Sequence, residues 1–227
     1  MKVQVIIPTA GLGTRLPSYV PKPLIYLKKK PIFIYALEVF QKSAVIDGII
    51  LVVHRDYIAE YQKIVQKFKI KKISKIVAGG ETRAESVYNG FMATDDEAKI
   101  ILIHDGVRPY VTAQMIKESV STCNKFGAAV IAVPVKPTIK KVDPKNKIVE
   151  QTLNREDLWE IQTPQAFKRE VLAKAYRKFP DFHVTDEAYL VERLGVKVKV
   201  VLGNYKNIKI TTPEDLVIAE AFRSLMK

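Results

Sequence analysis

The chain has a single cysteine, Cys123, so no intrachain disulfide can form and a cytoplasmic setting is expected over a secreted one. Its N-terminus lacks the basic-then-apolar pattern of a signal peptide. No uncharged apolar run approaches the ~20 residues that a membrane span needs, so no membrane partner is expected. Long polar low-complexity tracts are missing, which argues against disorder. Internal repeats and a clear interdomain linker are also missing, and 227 residues suit one domain over 1–227. Negative charge is in short supply: 24 Asp and Glu stand against 37 Lys and Arg, a net charge of +13. That balance suits anionic partners such as nucleotides, sugar phosphates, nucleic acid or an acidic membrane. No aromatic-rich RNA-binding signature accompanies it, and a basic nucleic-acid-binding module is the remote reading. Much of the excess, as in Lys67, Lys69, Lys71, Lys72 and Lys75, reads as a solvated basic surface.

What is present is a core-forming composition, 48% hydrophobic, and a distinctive opening, VQVIIPTAGLGTRLPSYVPK over residues 3 to 22. An apolar run, Val3 to Pro8, delivers a loop with Gly11 and Gly13, followed by Arg15 and Lys22. Glycines let backbone N–H groups approach phosphate oxygens, and the cations match their charge. Leu16 occupies the place of the third glycine of a dinucleotide loop, and no G-K-[ST] follows for a P-loop. A tight strand-to-helix turn using its glycines only for conformation is the bland alternative.

Apolar runs alternate with helical patterns along the rest. Short strands are expected over Leu24–Leu27, Gly48–Val53, Ile73–Val77, Lys99–His104, Ala128–Val135, Lys197–Leu202 and Asn207–Ile210. Helices are expected from Pro31, over Tyr57–Phe68, from Glu81 or Thr82, over Ala113–Phe126 and Lys168–Lys178, from Thr185 as cap, and from Thr212 as cap with Pro213 first. The alternation implies a mainly parallel sheet covered on both faces. Asp105, directly after a buried strand, should stand at the sheet's carboxyl edge, where ligands bind in such folds. It is a candidate metal ligand with Arg108 beside it; an Asp–Arg pair tying the loop down is the alternative. Thr138–Val142 and Lys147–Thr152 flank Asp143-Pro144-Lys145-Asn146 and read as a hairpin arm, at about 136–156, polar enough to need a partner surface. A second subunit is the simplest one.

The segments PTAGLGTRL, VPKPL, GGETRAESV, HDGVRP, PVKPTIKKV, NREDLWEIQTPQAF, TDEAYLVERLG and NIKITTPEDL run in order from residue 8 to 216. Together they resemble the 2-C-methyl-D-erythritol 4-phosphate cytidylyltransferases of the non-mevalonate isoprenoid pathway. The resemblance implies a three-layer, Rossmann-like (GT-A-like) nucleotidyltransferase fold with a protruding β-hairpin arm. It implies that CTP and methylerythritol 4-phosphate yield the cytidine diphosphate adduct and pyrophosphate, with Mg²⁺ held mostly by phosphates and also by Asp105. Arg15 and Lys22 match the transition-state stabilisers, and Arg155 and Lys209 match residues orienting the attacking phosphate. Pro8, Thr9, Ala10, Gly11, Gly80 and Ser86 match nucleotide-binding positions. Asp105, Arg108, Thr138, Thr163, Thr185 and Asp186 match the polyol-phosphate end. Thr138 and Arg155 match residues that reach the neighbouring subunit of a homodimer. Thr9, Pro23, Gly106-Val107 and Pro137 depart from the common pattern. Ribitol-5-phosphate cytidylyltransferases and sugar-phosphate nucleotidyltransferases share parts of it, but TDEAYLVERLG favours methylerythritol phosphate.

Overall fold

The opening apolar run forms β1 (Val3–Pro8), buried along most of its length, as a strand covered on both faces must be. The structure, a computed structural model, describes residues 1–11, 21–180 and 184–225. Beyond β1, Lys22–Leu24 close a 3₁₀ turn and lead into a two-stranded ladder of β2 (Tyr26–Leu27) and β3 (Lys30–Pro31). The expected strand over Leu24–Leu27 is thus shortened from its start, because Pro21 and Pro23 favour a tight turn there. There follow α1 (Ile32–Lys42), β4 (Gly48–Val53), α2 (Ile58–Lys67), β5 (Ile73–Ala78), α3 (Arg83–Met92) and β6 (Ile100–Ile103). Next come α4 (Ala113–Phe126), β7 (Ala128–Pro134), β8 (Lys140–Asp143), β9 (Ile148–Thr152) and β10 (Trp159–Lys168). The chain ends with α5 (Arg169–Lys178), α6 (Glu187–Arg193), β11 (Lys199–Leu202) and α7 (Pro213–Leu225).

Seven strands form one sheet in the order β11-β7-β10-β6-β1-β4-β5. Every neighbouring pair is parallel except those made by β10, which runs antiparallel to both β6 and β7. Sequence pattern did not announce β10, because Pro164 cannot donate to a ladder and argues against a central strand. The sheet accommodates it where the pairing with β7 shifts register between Ile161 and Gln165. The converse error is Asn207–Ile210, which forms no strand and runs as a loop held to the sheet by side chains. Its strand-like look comes from Ile208 and Ile210, which dock into a small apolar cluster with Leu27, Tyr35, Tyr110 and Ala219 of α7.

The pleat sends alternate residues to opposite faces. Val3, Val5 and Ile7 pack with Phe33, Leu37 and Phe40 of α1 and Ile116 of α4. Ile6, Ile50 and Val52 face the other way, against Val87 and Phe91 of α3 and Leu190 and Val191 of α6. Since β1, β4, β5 and β6 run the same way, their C-terminal ends deliver Thr9, His54, Gly79 and His104-Asp105 to one edge. The hairpin β8–β9 stands apart as its own two-stranded sheet, mostly exposed.

Helix α3 matters most for the site, because its N-terminus opens onto that edge. Gly90 lets it lie close to the sheet: a Cβ there would meet Ile6 Cγ2 at 2.5 Å and Val52 Cγ2 at 2.8 Å. Helix propensity alone would make Gly90→Ala stabilising by about 1 kcal/mol. Overpacking costs about 1–3 kcal/mol and should win, giving a net loss of stability. Denaturant titration checks the sign; a more stable Gly90→Ala protein would mean that the helix can lift off the sheet at little cost.

Candidate functional site

The strand-end loops enclose an open cleft of about 640 Å³ at the carboxyl edge of the sheet. Pro8, Thr9, Ala10 and Gly11 line one side, and Gly80, Glu81, Thr82, Arg83 and Ser86 another. Lys22, Pro23, His54, Asp105, Val107 and Lys209 complete it. The cleft thus gathers nine of the sequence-predicted residues: Pro8, Thr9, Ala10, Gly11, Lys22, Gly80, Ser86, Asp105 and Lys209. Arg15 lies outside the described residues.

Each wall is built by short-range chemistry. The Thr9 amide and hydroxyl both donate to the Val52 carbonyl at 2.7 Å, and Tyr61 Oη donates to the Thr9 carbonyl at 3.3 Å. These bonds carry β1 one residue past its end and fix where the loop departs. Across the cleft, Thr82 caps α3 by accepting the Glu85 N–H at 3.0 Å. The Gly80 N–H donates to Ser86 Oγ at 3.1 Å, and the Glu81 N–H to Glu85 Oε2 at 2.8 Å. Ser86 is therefore buried as the brace of the Gly79-Gly80 turn. Gly79 has to lack a side chain, since a Cβ would lie 2.3 Å from that of Ala10.

Asp105 is the electrostatic centre. Its Oδ1 accepts from Arg83 Nε at 3.1 Å, and its Oδ2 lies 3.0 Å from Lys209 Nζ and 3.5 Å from Arg108 Nε. Burial alone would push this carboxyl up, but Arg83, Lys209 and Arg108 outweigh it and hold it well below the usual carboxylate range. Arg108 is buried behind the cleft and donates to the Asn207 carbonyl at 2.7 Å. Asn207, itself fully buried, donates to Gln162 Oε1 at 3.1 Å and to the Thr163 carbonyl at 2.9 Å. This anchor, with the Ile210 N–H on the Val107 carbonyl at 3.0 Å, is what brings Lys209 from the far end of the chain into the cleft. Lys22 is mostly buried and donates from Nζ to the Thr211 carbonyl at 2.9 Å, so two chain-distant lysines converge through one segment.

Thr163 is behind the cleft rather than in it. The neutral His104 ring donates from Nε2 to the Arg108 carbonyl at 3.1 Å, leaving Nδ1 to accept the Thr163 hydroxyl at 2.9 Å. Thr163 Oγ1 in turn accepts the Asp105 N–H at 3.1 Å. One closed chain of hydrogen bonds thus ties β10 to the Asp105 loop. Asp186 accepts from Gln165 Nε2 at 2.8 Å and from the Tyr189 N–H at 3.0 Å, which makes it the cap of α6 in place of the expected Thr185. Thr185 is exposed, and neither it nor Asp186 lines the cleft. Thr138 and Arg155 sit at the exposed arm, where Arg155 Nη1 donates to the Lys136 carbonyl at 3.1 Å; neither lines this cleft.

Sequence reasoning assigned no role to Arg83, Glu187 or His54. Arg83 lines the cleft and pairs with Glu187 as well as Asp105, through Nη1 at 3.2 Å and 3.0 Å to the two carboxylate oxygens. Burial raises the Glu187 carboxyl, with Arg83 opposing it. An acid in a first helical turn reads as a solvated dipole partner, which is why Glu187 escaped notice. Among the described residues no group of three His, Cys, Asp or Glu side chains is placed to hold a metal ion. With both Asp105 oxygens facing cations, the donor set fits an ion borne by a ligand's phosphates, not one caged by protein. Lys22, Arg83 and Lys209 around a single electrostatically clamped aspartate suit an anionic ligand, while the Gly79, Gly80 and Glu81 N–H groups are already bonded within the protein.

A sequence profile of the family described as 2-C-methyl-D-erythritol 4-phosphate cytidylyltransferase matches residues 3–224. A protein of that description from Alkaliphilus metalliredigens is 44% identical, over 100% of this chain and 95% of its own length. One from Caldanaerobacter subterraneus subsp. tengcongensis is 45% identical, over 98% and 99%. The crystal structure of the 4-diphosphocytidyl-2C-methyl-D-erythritol synthase from Anaerococcus prevotii superposes with a TM-score of 0.86 at 33% identity, covering 98% of this chain and 96% of that one. That of the Thermus thermophilus cytidylyltransferase gives 0.79 at 28% identity, over 99% and 100%.

The buried histidine makes the loop's integrity pH-dependent. Burial pulls His104 down to about 4, while the unfolded imidazole titrates near 6.5. Between those values the unfolded chain binds more protons, so stability falls as pH drops through the window. The expected loss is ~2 kcal/mol from about pH 7.5 to 5. His104→Gln, which keeps a donor and an acceptor, should flatten this slope in denaturant titrations at stepped pH; an unchanged slope would assign the titration elsewhere.

Proposed function

The chain belongs to the 2-C-methyl-D-erythritol 4-phosphate cytidylyltransferase family, and on that premise we propose how its cleft performs the transfer. The reaction joins CTP to methylerythritol 4-phosphate and releases pyrophosphate, a step of the methylerythritol phosphate route to isoprenoids. The substrate phosphate attacks the α-phosphorus of CTP: a phosphate oxygen forms the new P–O bond, and the bond to the β-phosphate bridging oxygen breaks. A phosphate monoester is already mostly dianionic at neutral pH, with a second pKa of about 6, so no general base is needed. The demands are in-line positioning and charge neutralisation.

The nucleotide lies along Pro8, Thr9, Ala10, Gly11, Gly80 and Ser86, held largely by backbone groups of the two glycine-containing turns. Lys22 and Arg15 stabilise charge building on the α-phosphate oxygens. Lys209 orients the attacking phosphate, and Asp105, backed by Arg108 and Thr163, accepts the polyol hydroxyls. Thr185 and Asp186 shape that end from the start of α6. Mg²⁺ would be held chiefly by the triphosphate, with Asp105 as the one protein carboxylate near it, and would supply further charge neutralisation there. The observation that carries this reading is the convergence of Lys22 and Lys209 on one cleft beside the Gly11 and Gly80 turns. Purified protein should release pyrophosphate from CTP with methylerythritol 4-phosphate and Mg²⁺, and Lys22→Ala should lower kcat at least ~10²-fold while folding normally. Release with ribitol 5-phosphate alone would sink the substrate assignment, and near-normal turnover by Lys22→Ala would remove that lysine from its role.

We further propose a cytoplasmic homodimer, with the two substrates and a second copy as partners in place of nucleic acid or membrane. Among the described residues no helix is long and apolar enough to cross a membrane. The arm exposes Val142, Ile148 and Val149 and has no core of its own, which favours burial against another copy. Thr138 and Arg155, outside their own chain's cleft, are then supplied to the neighbour's polyol-phosphate end. Sedimentation should give a dimer, and Arg155→Ala should raise KM for the polyol phosphate with little effect on KM for CTP. A stable, fully active monomer would contradict the shared arm.

A further inference from the structure

Arg83 stands between two carboxylates that lie far apart in the chain. Its Nη1 bonds both oxygens of Glu187 at 3.2 Å and 3.0 Å, and its Nε bonds Asp105 Oδ1 at 3.1 Å. Glu187 is completely buried at the first turn of α6, whereas the Arg83 side chain keeps 28% exposure toward the cleft it lines. A guanidinium facing a lone carboxylate prefers two parallel bonds to it. Here that fork is divided. One side of it is committed to Glu187, so only Nε reaches Asp105, and only at Oδ1. Oδ2 is thereby left to Lys209 at 3.0 Å and Arg108 at 3.5 Å.

The geometry points to Arg83 and Glu187 as positioning residues: Glu187 holds the guanidinium so that Asp105 presents one fixed oxygen to Lys209 and to the hydroxyls of the polyol. Without Glu187, Arg83 would turn its fork onto both oxygens of Asp105 and compete with Lys209 for Oδ2. This rests on the reading that Asp105 lies at the polyol end. The plain alternative is that the Arg83–Glu187 pair only seals α3 against α6. The two differ in what they do to substrate affinity. Loss of a structural seal lowers the amount of active enzyme and so kcat, but KM does not depend on the active fraction. Loss of a positioning pair changes KM for the substrate whose contacts it sets.

The test is a steady-state comparison of Glu187→Gln, Arg83→Lys and Asp105→Asn, with Glu187→Gln/Asp105→Asn as the double variant. Arg83→Lys keeps the charge at a partly exposed helix start but not the fork, so it serves even if Glu187→Gln folds poorly. Glu187→Gln and Arg83→Lys should each raise KM for methylerythritol 4-phosphate about tenfold, with KM for CTP within about twofold. The double variant should be no worse than Asp105→Asn, because the effect of Glu187 passes through Asp105. Wild-type KM in both relay variants alongside a raised KM in Asp105→Asn would overturn the inference and leave Asp105's own role intact. Multiplying effects in the double variant would overturn it equally. A shared, non-multiplying rise in KM for CTP instead would keep the relay and overturn the assignment of Asp105 to the polyol end.

Discussion

One ionised aspartate organises this site. Asp105 stands with its carboxylate almost wholly removed from solvent, and three cations from three parts of the chain meet at it. Arg83 comes from the start of α3, Arg108 from the loop after β6, and Lys209 from the loop before α7. An uncompensated buried carboxylate would protonate instead of persisting as a charge. The converse holds for the cations: three of them crowded at one sheet edge would repel one another without a central anion. Asp105 therefore makes the cluster possible, and it leaves an excess of positive charge beside the glycine turns. That excess is what a triphosphate and a phosphate monoester, both strongly anionic, have to meet when they are brought together.

The fold supplies the convergence cheaply. Parallel strands bring their C-terminal ends to one edge, so loops separated by dozens of residues become neighbours without special design. What parallel strands cannot supply is the far side of the cleft. That side comes from the segment carrying Lys209, which β10, antiparallel and irregular around Pro164, anchors from behind through Thr163 and Gln162. Thr163 grips the Asp105 loop through His104, and Gln162 with the Thr163 carbonyl grips Asn207. The Asn207 segment then carries both Lys209 and the Thr211 carbonyl that meets Lys22. A neutral His104 is the keystone of that arrangement, since only the neutral ring has an acceptor for the Thr163 hydroxyl.

Much of this was legible in the sequence, for reasons that the structure makes plain. Gly11, Gly80 and Asp105 each follow an apolar run, and apolar runs in alternation with helical patterns imply one common edge. Local signals also placed α2 and α4 within a residue or two, the start of α1 next to Pro31 and the Thr212 cap where it stands, and left the start of α3 between Glu81 and Thr82. Strand β10 was hidden because Pro164 breaks the local rule that a register shift then accommodates. The segment around Asn207 looked like a strand because its isoleucines alternate, but they serve a small cluster under α7. Glu187 was hidden for a different reason. An acid beside a helix cap is ordinarily solvated, and nothing in the local pattern says that this one is buried against an arginine about a hundred positions earlier. Thr138 and Arg155 stand on the exposed arm, outside their own chain's cleft, and the proposal that they serve a second copy rests on that exposure.

The departures at Thr9 and Gly106, unconnected in sequence, meet in space. A Cβ on Gly106 would fall 2.3 Å from Thr9 Cγ2, with Ile7 Cγ2 and the Pro8 carbonyl at 3.3 Å behind it. Thr9 is buried, its hydroxyl spent on the Val52 carbonyl, so its methyl group cannot swing away without breaking that bond. The two positions therefore exchange volume: the extra atoms of a threonine on the β1 loop occupy the space that a side chain on the Asp105 loop would need. Seen singly, each departure touches a substrate-binding loop and raises a question about selectivity. Seen together, they are one packing solution beneath the cleft, where the loop after β1 and the Asp105 loop meet with no room for a further side chain.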